Sequence, residues 1–369
     1  MARLATSFAA ALIALAAGAR ADDALYGEAD FARIPKFDAH VHANRQAHEF
    51  LDIARKDGFE LLSINVDYPD FPALAEQGKV AHALKKADPQ RFHFATTFTM
   101  KGFGAKGWAD KTIRHLDGEF ARGALAVKVW KNIGMVEKNA KGELIMLDDP
   151  GLDPVMTHLA NKHIPLIAHQ GEPKNCWLPL DQMTTENDRS YFREHPEYHM
   201  YLHPEQPSLE TILAARDRLI ERHPDLALDG AHMGSLEWDV DLLGTFLDVH
   251  PNAVVDLAAR MTNVQYQSVH DYDKVRAFFI RYQDRLLYGT DLTDNPPDHH
   301  ERAQNPPREE GGIATEADHF WRSDWTYLAT TGSQRVDAVE ADVKGLGLPK
   351  SVIDKIYWAN SRREFHLPG

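Results

Sequence analysis

Eight short β-rich, apolar runs recur along this chain, at 37–42, 61–66, 92–98, 124–130, 164–169, 226–232, 253–258 and 286–291. Most are near-continuous apolar stretches, the pattern of strands buried on both faces of a parallel sheet. The segments between them show helical spacing with Gly, Pro or Asp punctuation. In 208–222, Ser208 stands at an N-cap position and Leu209, Ile212, Leu213, Leu219 and Ile220 share one face; His223-Pro224 ends the run, as His250-Pro251 ends the next. Strands separated by ten or more helical residues are the repeat of an α/β fold, a (β/α)8 TIM barrel. A doubly wound sheet is the alternative, but no Gly-rich dinucleotide fingerprint follows the first strand.

Two long loop insertions interrupt the repeat, after strands 5 and 8. Residues 171–207 carry Trp177, Tyr191, Phe192, Arg193, Tyr198 and Tyr201, and residues 292–312 are polar and Pro-rich, with Asp298-His299-His300-Glu301. Loops after barrel strands emerge on the face that carries active sites, so both are candidate lids and substrate selectors. Self-packing of a long loop explains the aromatic cluster equally well, and His299 and His300 read as solvated.

The first residues read as a leader. Arg3 precedes an alanine-rich apolar run over 4–17, and Ala19-Arg20-Ala21 offers small residues where a signal peptidase cuts. Residues 1–21 are therefore expected to be a signal peptide and 22–369 a single domain, periplasmic or secreted. The apolar run is shorter than the roughly 20 residues of a spanning helix, so no membrane span is expected after cleavage. The lone cysteine, Cys176, precludes an internal disulfide and argues against a thiolate cluster. A net charge of -14 disfavours nucleic acid and anionic lipid as partners. A small-molecule substrate is the partner expected, and nothing speaks against a homo-oligomer.

The chemistry lies in what the strands place at their carboxyl ends. On an extended 36–42 run, His40 and His42 project to one face while Phe37 and Val41 face the other way. The fourth strand ends with Lys128 and Trp130 on one face and Lys131 on the opposite one or in the loop. The fifth ends with His169, the sixth with His232 and the eighth with Asp291. Imidazole nitrogen and carboxylate oxygen are donors that zinc accepts, and barrel strands bring their ends to one rim. His93 alternates with Phe92 and Phe94 as a core or mouth residue. Glu172 and Glu237 read as exposed loop acids within reach of substrate.

With these residues in view, Asp38-Ala39-His40-Val41-His42, Ile167-Ala168-His169, Gly230-Ala231-His232-Met233-Gly234 and Tyr288-Gly289-Thr290-Asp291 resemble the amidohydrolase superfamily. The His-x-Gly after the sixth strand and the closing Ile356-Tyr357-Trp358-Ala359-Asn360-Ser361-Arg362-Arg363 are similar to its branch of aminocarboxymuconate semialdehyde decarboxylase and related hydrolases. The resemblance implies that His40, His42, His169 and Asp291 hold one divalent metal, zinc before others and one ion rather than two. It makes His232 either a ligand of a second ion or a base and oxyanion stabiliser. Lys128 is then a substrate-anion contact, a metal-bridging carbamate or a structural ion pair.

The leading expectation is a metal-dependent hydrolase using a metal-activated water on a small amide, lactone or ester, with Asp291 and His232 as the catalytic pair. Decarboxylation of a small unsaturated or aromatic acid is the alternative, with Arg193 and Arg322 as carboxylate partners and Lys128 and Trp130 as substrate contacts. A non-catalytic periplasmic binding protein is a third reading, disfavoured because ligand capture does not require an aspartate beside a metal-bound water.

Overall fold

The computed structural model describes residues 24–297 and 311–368, so the leader and the segment with Asp298, His299, His300 and Glu301 lie outside the described residues. Nine parallel strands form one sheet in the order β8-β7-β6-β5-β4-β3-β2-β1-β9. They are β1 (Lys36–Ala43), β2 (Phe59–Ile64), β3 (Phe92–Thr97), β4 (Ala124–Val129), β5 (Leu166–Ala168), β6 (Leu228–Gly230), β7 (Ala253–Asp256), β8 (Leu286–Leu287) and β9 (Leu292–Asp294). The two terminal members of this order, β8 and β9, are two halves of a single stave, interrupted over 288–291. Across the interruption Ala39 N donates to Tyr288 O (2.9 Å) and Asp291 N to His40 O (2.8 Å). The sheet therefore closes on itself as the eight-staved barrel that the repeat predicts.

The staves sort their side chains by parity. Phe37, Ala39, Leu62, Ile64, Ala95, Ala126, Ile167, Val254 and Leu287 pack in the barrel interior. Their neighbours Val41, Leu61, Phe94, Val127, Leu166, Val255 and Leu286 face the surrounding helices in the larger outer core. Burial on both sides is what the near-continuous apolar runs require. The helix Leu209–Arg222 starts at Ser208, whose side chain accepts from Thr211 N, and stops at His223; His250 caps the helix Val240–Val249. Both histidines are thus helix ends, as their His-Pro context suggests.

The insertion after β5 folds into 3-10 turns and the helix Glu186–Glu194 around its own small core of Cys176, Met183 and Phe192. Beyond the helix Gly312–Ala329, an antiparallel hairpin of β10 (Ser333–Val336) and β11 (Ala341–Lys344) lies outside the barrel repeat. Among the described residues no helix is long and apolar enough to cross a membrane.

Candidate metal centre

A strict two-residue alternation along β1 would put Phe37, Ala39 and Val41 on one face and both histidines on the other. Instead the pairing of β1 with β2 shifts between Asp38 and Val41, a bulge that inserts one residue. Below it Phe37 and Ala39 point into the barrel; above it His40 and His42 do, and Val41 turns out to the helices. The expectation that Phe37 opposes the histidines is corrected by that single extra residue. Phe37 becomes floor beneath the two rings.

The eighth stave breaks where it meets this bulge. Gly289 passes so close to β1 that a Cβ there would stand 3.0 Å from the Cβ of His40. Asp291 then takes φ +69, a left-handed conformation that Asp tolerates better than bulkier residues. Asp38 pins the junction, accepting from Thr290 Oγ1 (2.7 Å), Thr290 N (3.1 Å), Trp321 Nε1 (2.9 Å) and His40 N (3.2 Å). A second run of left-handed residues, His232, Met233, Gly234 and Ser235, turns the chain at the end of β6 and aims the His232 ring at the same point.

Proton placement on these rings follows from their partners. His42 Nδ1 lies 2.7 Å from Ile64 O and His232 Nδ1 lies 2.9 Å from Ala258 O; a carbonyl only accepts, so both rings carry their hydrogen on Nδ1. His40 Nδ1 is 2.6 Å from Asp256 Oδ2. Burial would raise the Asp256 carboxyl, but the His40 ring, with His232 and Lys128, outweighs it and holds Asp256 at about 2, so it too only accepts. Burial also pushes His40 down and His169 and His232 well down, which keeps them neutral. The Nε2 atoms of His40 and His232 are therefore bare lone pairs, and His42, anchored at Nδ1 in the same way, aims its Nε2 at the same point.

Those nitrogens converge on a carboxylate. His42 Nε2 is 3.1 Å and His40 Nε2 is 3.5 Å from Asp291 Oδ1. One donor atom each of His40, His232 and Asp291 lies within 4.8 Å of the others. The His232 ring is 4.7 Å from His40 and 4.1 Å from His169, whose buried Nε2 has no hydrogen-bond partner. Imidazole nitrogens and a carboxylate packed this closely form a donor set for a cation. The anchoring of each second ring nitrogen by a carboxylate or carbonyl is the support that metal-binding histidines need. Nitrogen and oxygen donors without thiolate fit a divalent ion. The tightest group is His40, His232 and Asp291, with His42 beside Asp291 and His169 beside His232. His232 thus stands among the candidate ligands.

Above this point opens a cavity of about 680 Å³. Lys128 is fully buried on its floor, with Nζ 3.3 Å from His40 Nε2, and burial lowers its pKa to about 8. Trp130 forms a wall, its ring 4.1 Å from Tyr68 and edge-on to His169 at 6.1 Å. The insertion contributes Asn187, Tyr191, Tyr198 and Met200 to the roof. Lys131 and Glu172, expected as solvated and exposed, instead line the cavity and pair with each other. Glu237 is fully buried outside it, accepting from Lys174 N, and His93 lies inside the barrel, stacked on Phe37 and 3.0 Å from Glu60.

The two arginines face elsewhere. Arg193 is half exposed and 3.7 Å from Glu186. Asn187 and Tyr191, four residues apart, turn one face of that helix to the cavity, and two further residues carry Arg193 to the opposite face. Glu316, Phe320 and Asp324 likewise face the cavity, while Arg322 bonds Asp318 (2.9 Å) and Asp57 (3.3 Å) on the far side of its helix. Conversely, Asp256 has no place in the sequence-derived site, although it fixes His40 and accepts from His232 N at 2.7 Å. A lone carboxylate inside the apolar run 253–258 was its signal. Tyr68, in the loop after β2, gave none.

The model of one protein family, described as amidohydrolase, matches residues 13–367. No curated protein matches the chain. Among solved structures it is similar to 2,6-dihydroxybenzoate decarboxylase from Rhizobium, at 15% identity over 91% of this chain and 100% of that one, with a TM-score of 0.51. It is similar also to dihydroxybenzoic acid decarboxylase from Polaromonas sp. JS666 with bound manganese and the inhibitor 2-nitroresorcinol, at 14% identity over 90% and 97% of the two chains, with a TM-score of 0.52. Identities this low speak to the shared fold alone.

Proposed function

The chain belongs to the amidohydrolase family, and from that premise we propose that it is a zinc-dependent hydrolase of a small amide, lactone or ester. The observation that carries the reading is the convergence of donor atoms of His40, His232 and Asp291 within 4.8 Å of one another, with His42 Nε2 3.1 Å from Asp291 Oδ1 and the unpartnered Nε2 of His169 on a ring beside His232. His40, His42, His169, His232 and Asp291 would hold the ion. Bound there, it would polarise a carbonyl and lower the pKa of a water to about 7.

The chain's own groups do the rest. Asp291, whose side chain is 31% exposed to the cavity, stays ionised and is the base placed to take a proton from water and pass it to the leaving group. His232 and His40 are held rigid through Nδ1, so their lone pairs need no reorientation when the reaction charge develops. Trp130 and Tyr68 offer a flat apolar wall for the part of the substrate remote from the reacting carbonyl. The alanine-rich leader supports placing this activity in the periplasm or outside the cell.

Decarboxylation is the second reading. Lys128 supports it, because its ammonium on the cavity floor is positioned to meet a carboxylate. The decarboxylases of similar fold also act on dihydroxybenzoates, flat rings that the Trp130 and Tyr68 wall would accept. Against it, no arginine among the described residues lines the cavity. Zinc-reconstituted protein assayed on a panel of amides, esters, lactones and aromatic acids separates the two. Hydrolysis supports the first reading, carbon dioxide release replaces it with the second, and no turnover on any substrate rejects both.

A further inference from the structure

Inside the barrel, below the histidines, Asp229 is fully buried and neither carboxylate oxygen has a hydrogen-bond partner. Its surroundings are apolar. Ile167 pairs with it from β5 and Val254 from β7, and both pack in the interior cluster. Burial, with the acids Asp256 and Glu364, pushes its carboxyl well above the usual range, and Lys128 and the backbone N–H of Asp256 pull it back. A carboxylate in such a place is costly unless a cation comes to it.

The register supplies the cation. Lys128 pairs with Ile167, and Ile167 with Asp229, so the three occupy one row across adjacent staves. Two strand spacings put the lysine and aspartate Cα atoms on the order of 10 Å apart, a gap that side chains pointing at each other span. Yet Lys128 Nζ lies up against His40 Nε2 at 3.3 Å, a lone pair that the metal centre also requires. An ammonium and a divalent ion cannot share that lone pair, and their like charges repel.

Resting on the metal-dependent reading above, we propose that Lys128 and the metal ion compete for His40, and that Asp229 receives the lysine ammonium when the ion takes its place. Lys128 is then a displaceable counter-charge, and Asp229 a positioning residue that sets how tightly the centre holds metal without touching it.

The test is the zinc dissociation constant, read by competition with a chromophoric chelator, for wild type, Asp229→Asn, Lys128→Gln and the double variant. Asp229→Asn is expected to weaken zinc binding about tenfold, because the ammonium loses its alternative site. Lys128→Gln is expected to bind at least as tightly as wild type, and Asp229→Asn added to it to change affinity less than about twofold. Asp229→Ser serves in place of Asp229→Asn should circular dichroism show that the latter misfolds. Unchanged affinity in Asp229→Asn, an equal loss in both backgrounds, or weakening by Lys128→Gln overturns the inference. Wild type that binds no zinc overturns the metal reading itself, and this inference with it.

Discussion

His42 Nε2 stands 3.1 Å from Asp291 Oδ1, and His40 Nε2 lies 3.5 Å from the same carboxylate oxygen. The other nitrogen of the His42 ring is tied to Ile64 O at 2.7 Å, on the far side from the carboxylate. Two imidazole nitrogens and a carboxylate so placed form a donor set for a cation. Metal analysis of the purified protein is therefore expected to give about one divalent ion per chain, and chelation to lower its thermal midpoint in proportion to the binding free energy lost. Protein that purifies without metal and whose midpoint ignores added zinc would sink the assignment. Two ions per chain would instead favour Lys128 as a metal-bridging carbamate, formed by addition of carbon dioxide to its neutral amine.

Asp256 is expected to act through His40. Asp256→Asn leaves a neutral amide opposite Nδ1 at 2.6 Å, and the amide can turn its nitrogen to donate there, pushing the imidazole hydrogen onto Nε2 where the lone pair is needed. Loss of an outer-shell partner of this kind weakens metal binding roughly 10- to 100-fold. A chelator competition in which Asp256→Asn matches wild type would show that the contact is structural.

The strand-end histidines and Asp291 were legible because a parallel barrel delivers every stave's carboxyl end to the same rim, whatever lies between. The bulge after Asp38 was not, since one inserted residue leaves no mark in composition and reveals itself only when Phe37 and His40 turn out to share an interior. Asp256 was passed over although it is the one carboxylate in the apolar run 253–258. The arginines misled for a different reason. Helical phase, which was available in the sequence, separates Arg193 from Tyr191 and Arg322 from Phe320 by about 200°.

That phase argument makes a contrast between two arginine variants. Arg193→Ala removes a half-exposed partner of Glu186 and is expected to leave kcat/KM within about twofold and stability within about 0.5 kcal/mol. Arg322→Ala leaves Asp57, whose side chain is inaccessible, without that guanidinium and should cost about 1–3 kcal/mol in denaturant unfolding while kcat stays put. A large rise in KM for either variant would return it to the substrate site.

Replacing Asp291 by Asn separates holding the metal from using it. The amide oxygen can still face the ion, but the group no longer accepts a proton, and general-base loss of this kind lowers kcat about 10²- to 10⁴-fold. The expected outcome is a variant that retains most of its zinc and turns over substrate at a small fraction of the wild-type rate. Full activity with metal in place would remove Asp291 from the proton path.

A pH dependence of stability follows from Asp324, at the back of the cavity. Its carboxyl accepts from Tyr288 Oη at 2.8 Å, yet burial pushes its pKa from 3.8 up to about 7, with Asp38 adding to the shift. In the unfolded chain the group ionises near its ordinary value. Between about pH 4 and pH 7 the folded protein therefore binds the extra proton, and the linkage makes stability fall as pH rises through that window. The cost is fully developed above about pH 7 and amounts to roughly 4 kcal/mol at most, from about three pKa units at about 1.4 kcal/mol each. Asp324→Asn keeps an oxygen for the tyrosine and removes the titration. At saturating zinc, which holds the metal-binding histidines in one state, the difference in unfolding free energy between variant and wild type should therefore shift in favour of the variant from pH 4 to pH 7. Parallel profiles across that range would mean that Asp324 is ionised in the folded protein and that a cation reaches it.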